Sequence, residues 1–207
     1  MSAVDPTITF LPMLPTNLDA CMALKSLANW NQLRRDWELF LGFNPGGCIV
    51  ACDGERVVGT VTSIDYEGRF SWIGMVLVHP DCRRRGIGTG LLQAAMDSLA
   101  ACETIKLDAT PAGKMLYDGL GFVDEYGLAR LTAASLPSLP PSPAQVVPAT
   151  KADLAEIIDV DTPAFGVCRG RVLEAWMERT PQAAFVVRRG NGVAGYALGR
   201  PGANFAT

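Results

Sequence analysis

Residues 72–100 read WIGMVLVHPDCRRRGIGTGLLQAAMDSLA, and this run constrains the fold more than any other part of the chain. WIGMVLV carries no charge, the pattern of a strand buried on both faces. Leu91, Leu92, Ala95, Met96 and Leu99 then recur at helical spacing. Between strand and helix stand three arginines and the glycines Gly86, Gly88 and Gly90. A buried strand that turns tightly into an amphipathic helix calls for a layered fold in which helices cover a sheet.

The flanking sequence supplies the other layers. A strand is predicted near Ile8–Met13, a helix from Asn17 to Ala28, and a second helical stretch over Leu33–Leu41. Two apolar runs, 48–53 and 56–64, flank Asp53-Gly54 as a hairpin would. After the glycine turn and its helix, TIKLDAT (104–110) alternates as a strand. GKMLYDGLGF gives a short helix stopped by Gly121, and VDEYGLARLT a last strand. The sum is a mixed α/β domain, a central sheet flanked by helices.

The proline-rich stretch ASLPSLPPSPAQ (134–145) has neither helical nor strand period and reads as a linker. It divides the chain into 1–133 and 146–207, and the two parts begin alike. Thr16 with Asp19, and Thr150 with Asp153, form capping-box-like helix starts. CIVACDGERVVGTV (48–61) aligns without a gap on AFVVRRGNGVAGYA (184–197), an offset of 136 residues. A duplication is expected. Carried forward, the offset sets Thr207 opposite Ser71, so the second copy is partial and lacks the arginine–glycine turn.

Composition excludes several classes. With 49% hydrophobic and 19% charged residues the chain can build a core, and a net charge of −3 argues against nucleic acid as the main partner. The N-terminus lacks the pattern of a signal peptide and no apolar run is long enough for a membrane span, so a cytoplasmic protein without a membrane partner is expected. Six cysteines occur without a C-x-x-C pair, and His79 is the sole histidine. Reduced thiols and no metal site follow.

The turn itself suits an anion. A P-loop would need a lysine after its glycines, and a dinucleotide fingerprint would place its third glycine one residue later than Gly90. The third design, Arg/Gln-x-x-Gly-x-Gly, is met by Arg83, Gly86 and Gly88. VLVHPDCRRRGIGTGLL (76–92) resembles the central acetyl-CoA motif of the GCN5-related N-acetyltransferases (GNAT), and LYDGLGF (116–122) resembles that family's second signature. The resemblance covers roughly residues 5 to 132.

That resemblance implies an acetyl-CoA-dependent N-acetyltransferase acting by direct attack of an amine in a ternary complex. The backbone from Arg84 to Thr89, through Arg85, Gly86, Ile87 and Gly88, would hold the pyrophosphate at the start of a helix, and of the side chains of Arg83, Arg84 and Arg85 one or two would meet the 3′-phosphate or only solvent. Val76, Leu77 and Val78 would meet the pantetheine arm through main chain. Tyr117 would protonate the leaving thiolate, its ordinary pKa of about 10 keeping it protonated near neutrality. No carboxylate lies within Trp72–Val78 to act as general base. Asp108, Asp36 and Glu38 are alternatives that read equally as structural or solvent-facing, and His79 reads as a turn residue. Thr110 and Gly113 stand where the family often has Asn and Ala. Trp30 and Trp37 flank the acceptor side, either lining a pocket or filling the core, and Cys82 has no assigned role.

The acceptor is a primary amine of a small molecule or peptide. A catalytically idle acyl-CoA-binding or sensing domain is the rival reading. The partial copy offers an open sheet edge for a homodimer or for intramolecular packing.

Overall fold

Five strands pair in chain order into one mixed sheet: β1 (Ile8–Pro12), β2 (Ile49–Asp53), β3 (Arg56–Tyr66), β4 (Phe70–Val78) and β5 (Thr104–Leu107). The first three junctions are antiparallel, and β4 with β5 is parallel. The computed structural model describes residues 4–129, 131, 138 and 145–204. They fall into two compact units, 1–128 and 129–207. Of the proline-rich stretch only Ser138 and Gln145 are among them. No helix among the described residues is long and apolar enough to cross a membrane.

Side-chain alternation along β2 divides the core of the first unit in two. Cys48, Val50 and Cys52 face α1 (Leu18–Leu27) and α2 (Arg34–Phe43), whose Leu18, Cys21, Leu24 and Trp37 complete that layer. Ile49 and Ala51 face α3 (Ile87–Ser98), which contributes Ile87, Leu91, Leu92 and Ala95. Close packing here rests on missing side chains. A Cβ on Gly90 of α3 would lie 2.2 Å from the Phe10 ring of β1. One on Gly59 of β3 would lie 2.9 Å from Leu91 and 3.0 Å from the carbonyl oxygen of Leu77. Burial pushes the Cys21 thiol up to about 12 and the Cys48 thiol up to about 11, so both act as apolar core residues.

Three local expectations change. The first helix is not started by Thr16 and Asp19. The Asn17 side chain accepts from the Leu14 amide at 2.8 Å instead, and exposed Asp19 pairs with Arg34. The strand expected over 104–110 stops at Leu107, and α4 (Pro111–Gly119) begins four residues on, with Gly121 at φ +91° beyond its end. VDEYGLARLT forms no strand in residues 123–129 or at Leu131. A strand needs a partner ladder as well as a pattern, and this stretch is tied instead by ion pairs. Lys114 meets Asp124 at 2.6 Å and Lys106 meets Glu125 at 2.8 Å, while Val123 and Leu131 stay about 90% exposed (88% and 91%).

In the second unit β6 (Gln145–Pro148), β7 (Ala184–Arg189) and β8 (Gly192–Leu198) form an antiparallel sheet with α5 (Leu154–Phe165) and α6 (Gly170–Arg179) on one face. Its register reproduces that of the first three strands 136 residues later. Thr9↔Cys52 and Ile49↔Val61 in the first unit match Gln145↔Arg188 and Phe185↔Ala197 in the second. The bulge between Ala51 and Cys52 recurs between Val187 and Arg188. Thr150 and Asp153 form the expected cap, the Asp153 carboxylate accepting from the Thr150 amide at 2.7 Å and from its hydroxyl at 2.8 Å.

One pair of equivalent positions separates the units. Gly59 is walled by α3 and β4, whereas a Cβ on Gly195 would meet nothing within 4 Å. Gly59→Ala is expected to destabilise by about 1–3 kcal/mol through overpacking. Gly195→Ala is expected to be neutral or stabilising by up to about 1 kcal/mol. Urea denaturation of both variants measures the contrast.

Candidate functional site

The site begins where β4 leaves β5. Their ladder runs from Phe70↔Thr104 to Ile73↔Leu107 and ends there, while β4 continues to Val78. Just past that point β4 carries a bulge: Gly74 pairs with Thr62 and Leu77 with Thr60, so two residues oppose Val61 alone. Met75 takes the left-handed φ of +52° that the bulge demands, and its carbonyl accepts from the buried Thr60 hydroxyl at 2.8 Å. The extra residue swaps the faces of the strand. Ile73 packs on the α3 side, Met75 and Leu77 on the α1/α2 side, and Val76 and Val78 return to the α3 side. One edge of Val76, Leu77 and Val78 is therefore left without a β5 partner, as the sequence-based expectation for these residues requires.

The turn after β4 is a run of free amides. Pro80–Cys82 forms a short 3-10 turn, Arg84 adopts φ +63°, and Gly86 caps α3 at φ +74°. The Arg83 amide donates to the Pro80 carbonyl at 3.3 Å, and the next amide to bond back is that of Gly90, which donates to the Gly86 carbonyl at 3.0 Å. The amides of Arg84, Arg85, Gly86, Ile87, Gly88 and Thr89 have no acceptor among the described residues. They surround the positive end of the α3 dipole, which suits a pyrophosphate. Gly88 keeps the neighbouring elements close, since a Cβ there would lie 3.1 Å from Leu116 of α4 and 3.9 Å from Val78.

The three arginines differ. Arg83 and Arg84 are exposed and, among the described residues, have no ion-pair partner. Arg85 is committed within the protein. It reaches Asp53 at 2.7 Å, Asp5 at 2.8 Å and the Thr7 hydroxyl at 3.0 Å, and its carbonyl accepts from the Asp5 amide. The amide and hydroxyl of Thr7, and then Arg85, hold the Asp5 carboxyl down at about 2. The Arg85 side chain thus anchors the turn to the edge of the sheet, and only its amide faces the cradle.

Tyr117 projects from α4, whose Thr110 N-cap accepts from the Gly113 amide at 3.2 Å. The ring is 9% exposed and meets Phe122 edge-on at 6.2 Å. Its hydroxyl has no partner among the described residues, and burial raises its pKa above the ordinary value.

Of the remaining candidates, Asp36 caps α2 by accepting from the Leu33 amide at 2.7 Å, and Glu38 is exposed beside Arg34. Asp108 lies exposed beyond the end of β5. His79 accepts from the Asp81 amide at 3.3 Å and lies 2.9 Å from Arg56, as a turn residue. Trp37 is fully buried and fills the α1/α2 core layer, and Cys82 is buried against α3. Sequence reasoning missed the bulge at Met75 and the buried Lys25 on the sheet-facing side of α1. A lysine at an apolar position of the α1 period was the available signal for the latter.

Comparison with known proteins agrees with this geometry. The acetyltransferase (GNAT) family matches residues 18–122. The uncharacterized N-acetyltransferase YitH of Bacillus subtilis (strain 168) is 25% identical over 161 residues, 77% of this chain and 54% of that protein. A provisionally assigned acetyltransferase from Pyrococcus horikoshii superposes with a TM-score of 0.66 at 24% identity, over 90% of this chain and 66% of that one. Ard1 from Thermoplasma volcanium gives a TM-score of 0.52 at 18% identity, over 56% and 83%. The chain therefore spans about half the length of its curated relative, and the structural likenesses speak to the fold alone. The family match runs from the start of α1 past the end of α4 and encloses the bulged strand, the amide cradle and Tyr117. This chain belongs to the acetyltransferase (GNAT) family.

Proposed function

We propose that the chain is an acetyl-CoA-dependent N-acetyltransferase whose acceptor is a primary amine of a small molecule or peptide. The observation that carries this reading is the unbroken run of unpaired amides from Arg84 to Thr89, set at the end of a strand that has parted from its neighbour. In this reading those amides hold the coenzyme A pyrophosphate. Arg83 and Arg84 add charge from the rim, and the unpartnered edge of Val76–Val78 meets the amides of the pantetheine arm. The amine attacks the thioester carbonyl directly. The carbon–sulfur bond breaks as the tetrahedral intermediate collapses, the departing sulfur takes the hydroxyl proton of Tyr117, and the surplus proton of the nitrogen passes through water to restore the phenol.

Burial suits Tyr117 to that task. A phenol whose pKa lies above the ordinary value of about 10 stays protonated across the range in which the amine becomes neutral. Donation then persists as pH rises and fails only above that value, so the rising limb of the kcat profile belongs to the amine and the falling limb to Tyr117. One observation favours the idle acyl-CoA-binding reading: Phe70–Val78 carries no carboxylate, and Asp36 is occupied as a cap. A panel of amines separates the two, because an idle domain binds acetyl-CoA and acetylates none of them.

We also infer that the second unit is an incomplete second copy of the fold. The shared register and the shared bulge support it. In the first unit the face of Ile49, Ala51 and Gly59 is covered by α3, while in the second Phe185 remains 38% exposed on the equivalent face. Among the described residues the cradle is built once.

Gly86→Val and Gly88→Val are each expected to weaken acetyl-CoA binding more than Arg84→Ala, as read by isothermal titration. Tyr117→Phe is expected to lower kcat by about 10²–10⁴-fold, the usual weight of a general acid. Its acetyl-CoA affinity should be retained, and equal kcat in mutant and wild type would reject the proton-donor role.

A further inference from the structure

A charged side chain inside an apolar layer calls for a partner, and the first unit gives Lys25 none. Lys25 lies on the sheet-facing stripe of α1, one turn beyond Cys21, and is 5% exposed. Leu18, Cys21 and Leu24 of the same face pack with Met75 and Leu77 of β4. A lysine brings three donors and a positive charge. Among the described residues no hydrogen bond or ion pair reaches its amino group. The carboxylates nearest in sequence are engaged elsewhere: Asp19 and Glu38 with Arg34, and Asp36 with the Leu33 amide. Gln32, in the connection to α2 that the Trp30 amide ties back to the Lys25 carbonyl, keeps an enclosed side-chain oxygen without a partner. The end of α1 thus offers a donor and an acceptor that the protein itself leaves unmet.

The second unit shows how the same frame satisfies such a group from within. α1 and α5 begin 136 residues apart, as do α2 and α6, so Lys25 corresponds to Asp161. Asp161 is 4% exposed and accepts from Arg169 at 2.8 Å and from the Tyr196 hydroxyl. Their counterparts in the first unit are Leu33, which has no polar side chain, and Thr60, whose hydroxyl is given to the Met75 carbonyl. The position is charged and buried in both units, and in the second alone does the protein supply the counter-charge. By the same correspondence Lys25 stands over β3 at Thr60, beside the bulge of β4.

We propose that Lys25 binds a carboxylate of the acceptor, so that the amine acetylated belongs to a carboxylate-bearing molecule. The inference rests on the N-acetyltransferase reading, in which the pantetheine arm runs from Val78 to Val76 and brings its thioester to that bulge. One unpaired lysine matches the single charge of a carboxylate, and pairing with it would hold the acceptor on the α1/α2 side of the strand.

The test compares wild type, Lys25→Met and Lys25→Arg in the full chain, with amines paired as carboxylate and carboxamide. Alanine against alaninamide probes an α-carboxylate, and aspartic acid α-amide against asparagine amide probes a side-chain carboxylate. Each pair is read by kcat/KM for acetylation and by isothermal titration into protein loaded with coenzyme A. The carboxylate-to-amide ratio in wild type, divided by that in Lys25→Met, cancels the intrinsic difference between two amines. It is expected to be about 10–10² in at least one pair, the usual weight of a hydrogen bond to a charged group. Lys25→Arg should keep part of the preference. Methionine retains the apolar stem and removes a lone buried charge, so Tm should hold or rise and acetyl-CoA affinity should not change. Acetylation with the same ratio in wild type and Lys25→Met would overturn the inference and leave the enzyme reading standing. Binding that prefers the carboxylate and loses that preference in Lys25→Met, with no amine acetylated, would remove the enzyme reading and keep Lys25 as a ligand residue. A fall of Tm in Lys25→Met with the preference retained marks a structural lysine and overturns the proposal, as does failure of every carboxylate probe to bind.

Discussion

The parting of β4 from β5 after Ile73 is the constraint on which the rest of the first unit depends. Backbone amides and carbonyls in a sheet are ordinarily satisfied by the next strand, and leaving them unmet in a protected place is costly. Here the break is enforced. A bulged residue at left-handed φ turns the strand, and the Thr60 hydroxyl holds the Met75 carbonyl in place from the neighbouring strand. The same bulge returns Val76 and Val78 to the side of α3 and α4, so the strand's free edge and the helix start face one region. Without the extra residue, Met75 would keep to the face of Ile73 and Val76 to the opposite one.

The amide cradle depends on that strand and on an anchor at its other end. Arg85 spans Asp5, Thr7 and Asp53, joining the turn to the start of β1 and the end of β2. Three arginines in a row suggest a shared electrostatic purpose, but their surroundings assign them differently. One is bound within the protein, and two extend from a backbone whose six consecutive amides have no acceptor among the described residues. Charge near a helix start is worth little when exposed, whereas amides fixed in direction lose no orientation on binding. The glycines matter for the same geometric reason: Gly86 for its φ, Gly88 for the approach of Leu116, and Gly90 for the Phe10 ring.

Much of this was legible in the sequence because it is local. An unbroken apolar strand, a glycine turn and a 3.6-residue period need only neighbouring residues to declare themselves, and β4, its turn and α3 formed where expected. The likeness of the two hairpins was legible for a related reason: they share a period and a turn, and their bulges fall at the same offset of 136 residues. What escaped depends on which partner each group meets in the folded chain. VDEYGLARLT alternates well enough for a strand but found no ladder, and two lysines hold it instead. Thr16 has the chemistry of a cap, yet Asn17 reaches the Leu14 amide because a 3-10 turn precedes α1.

The two units also show what a repeated frame conserves and what it leaves free. Apolar positions persist in kind: Cys21 and Ile157, Trp37 and Leu173, Val50 and Val186 are all buried at the same offset. Polar interior positions do not. Thr60, which holds the bulge of β4 in the first unit, is replaced by Tyr196, and the buried Lys25 by the buried Asp161. In the second unit Tyr196 and Arg169 both donate to Asp161. Burial opposes the charge on that carboxylate, and these two bonds outweigh it, leaving its pKa below the ordinary value. Removing either donor would leave a buried carboxylate underpaired, so the cluster is bound to its own fold. In the first unit the equivalent hydroxyl donates instead to the carbonyl of the bulged Met75, so one β3 position serves a buried ion cluster in one unit and a strand irregularity in the other.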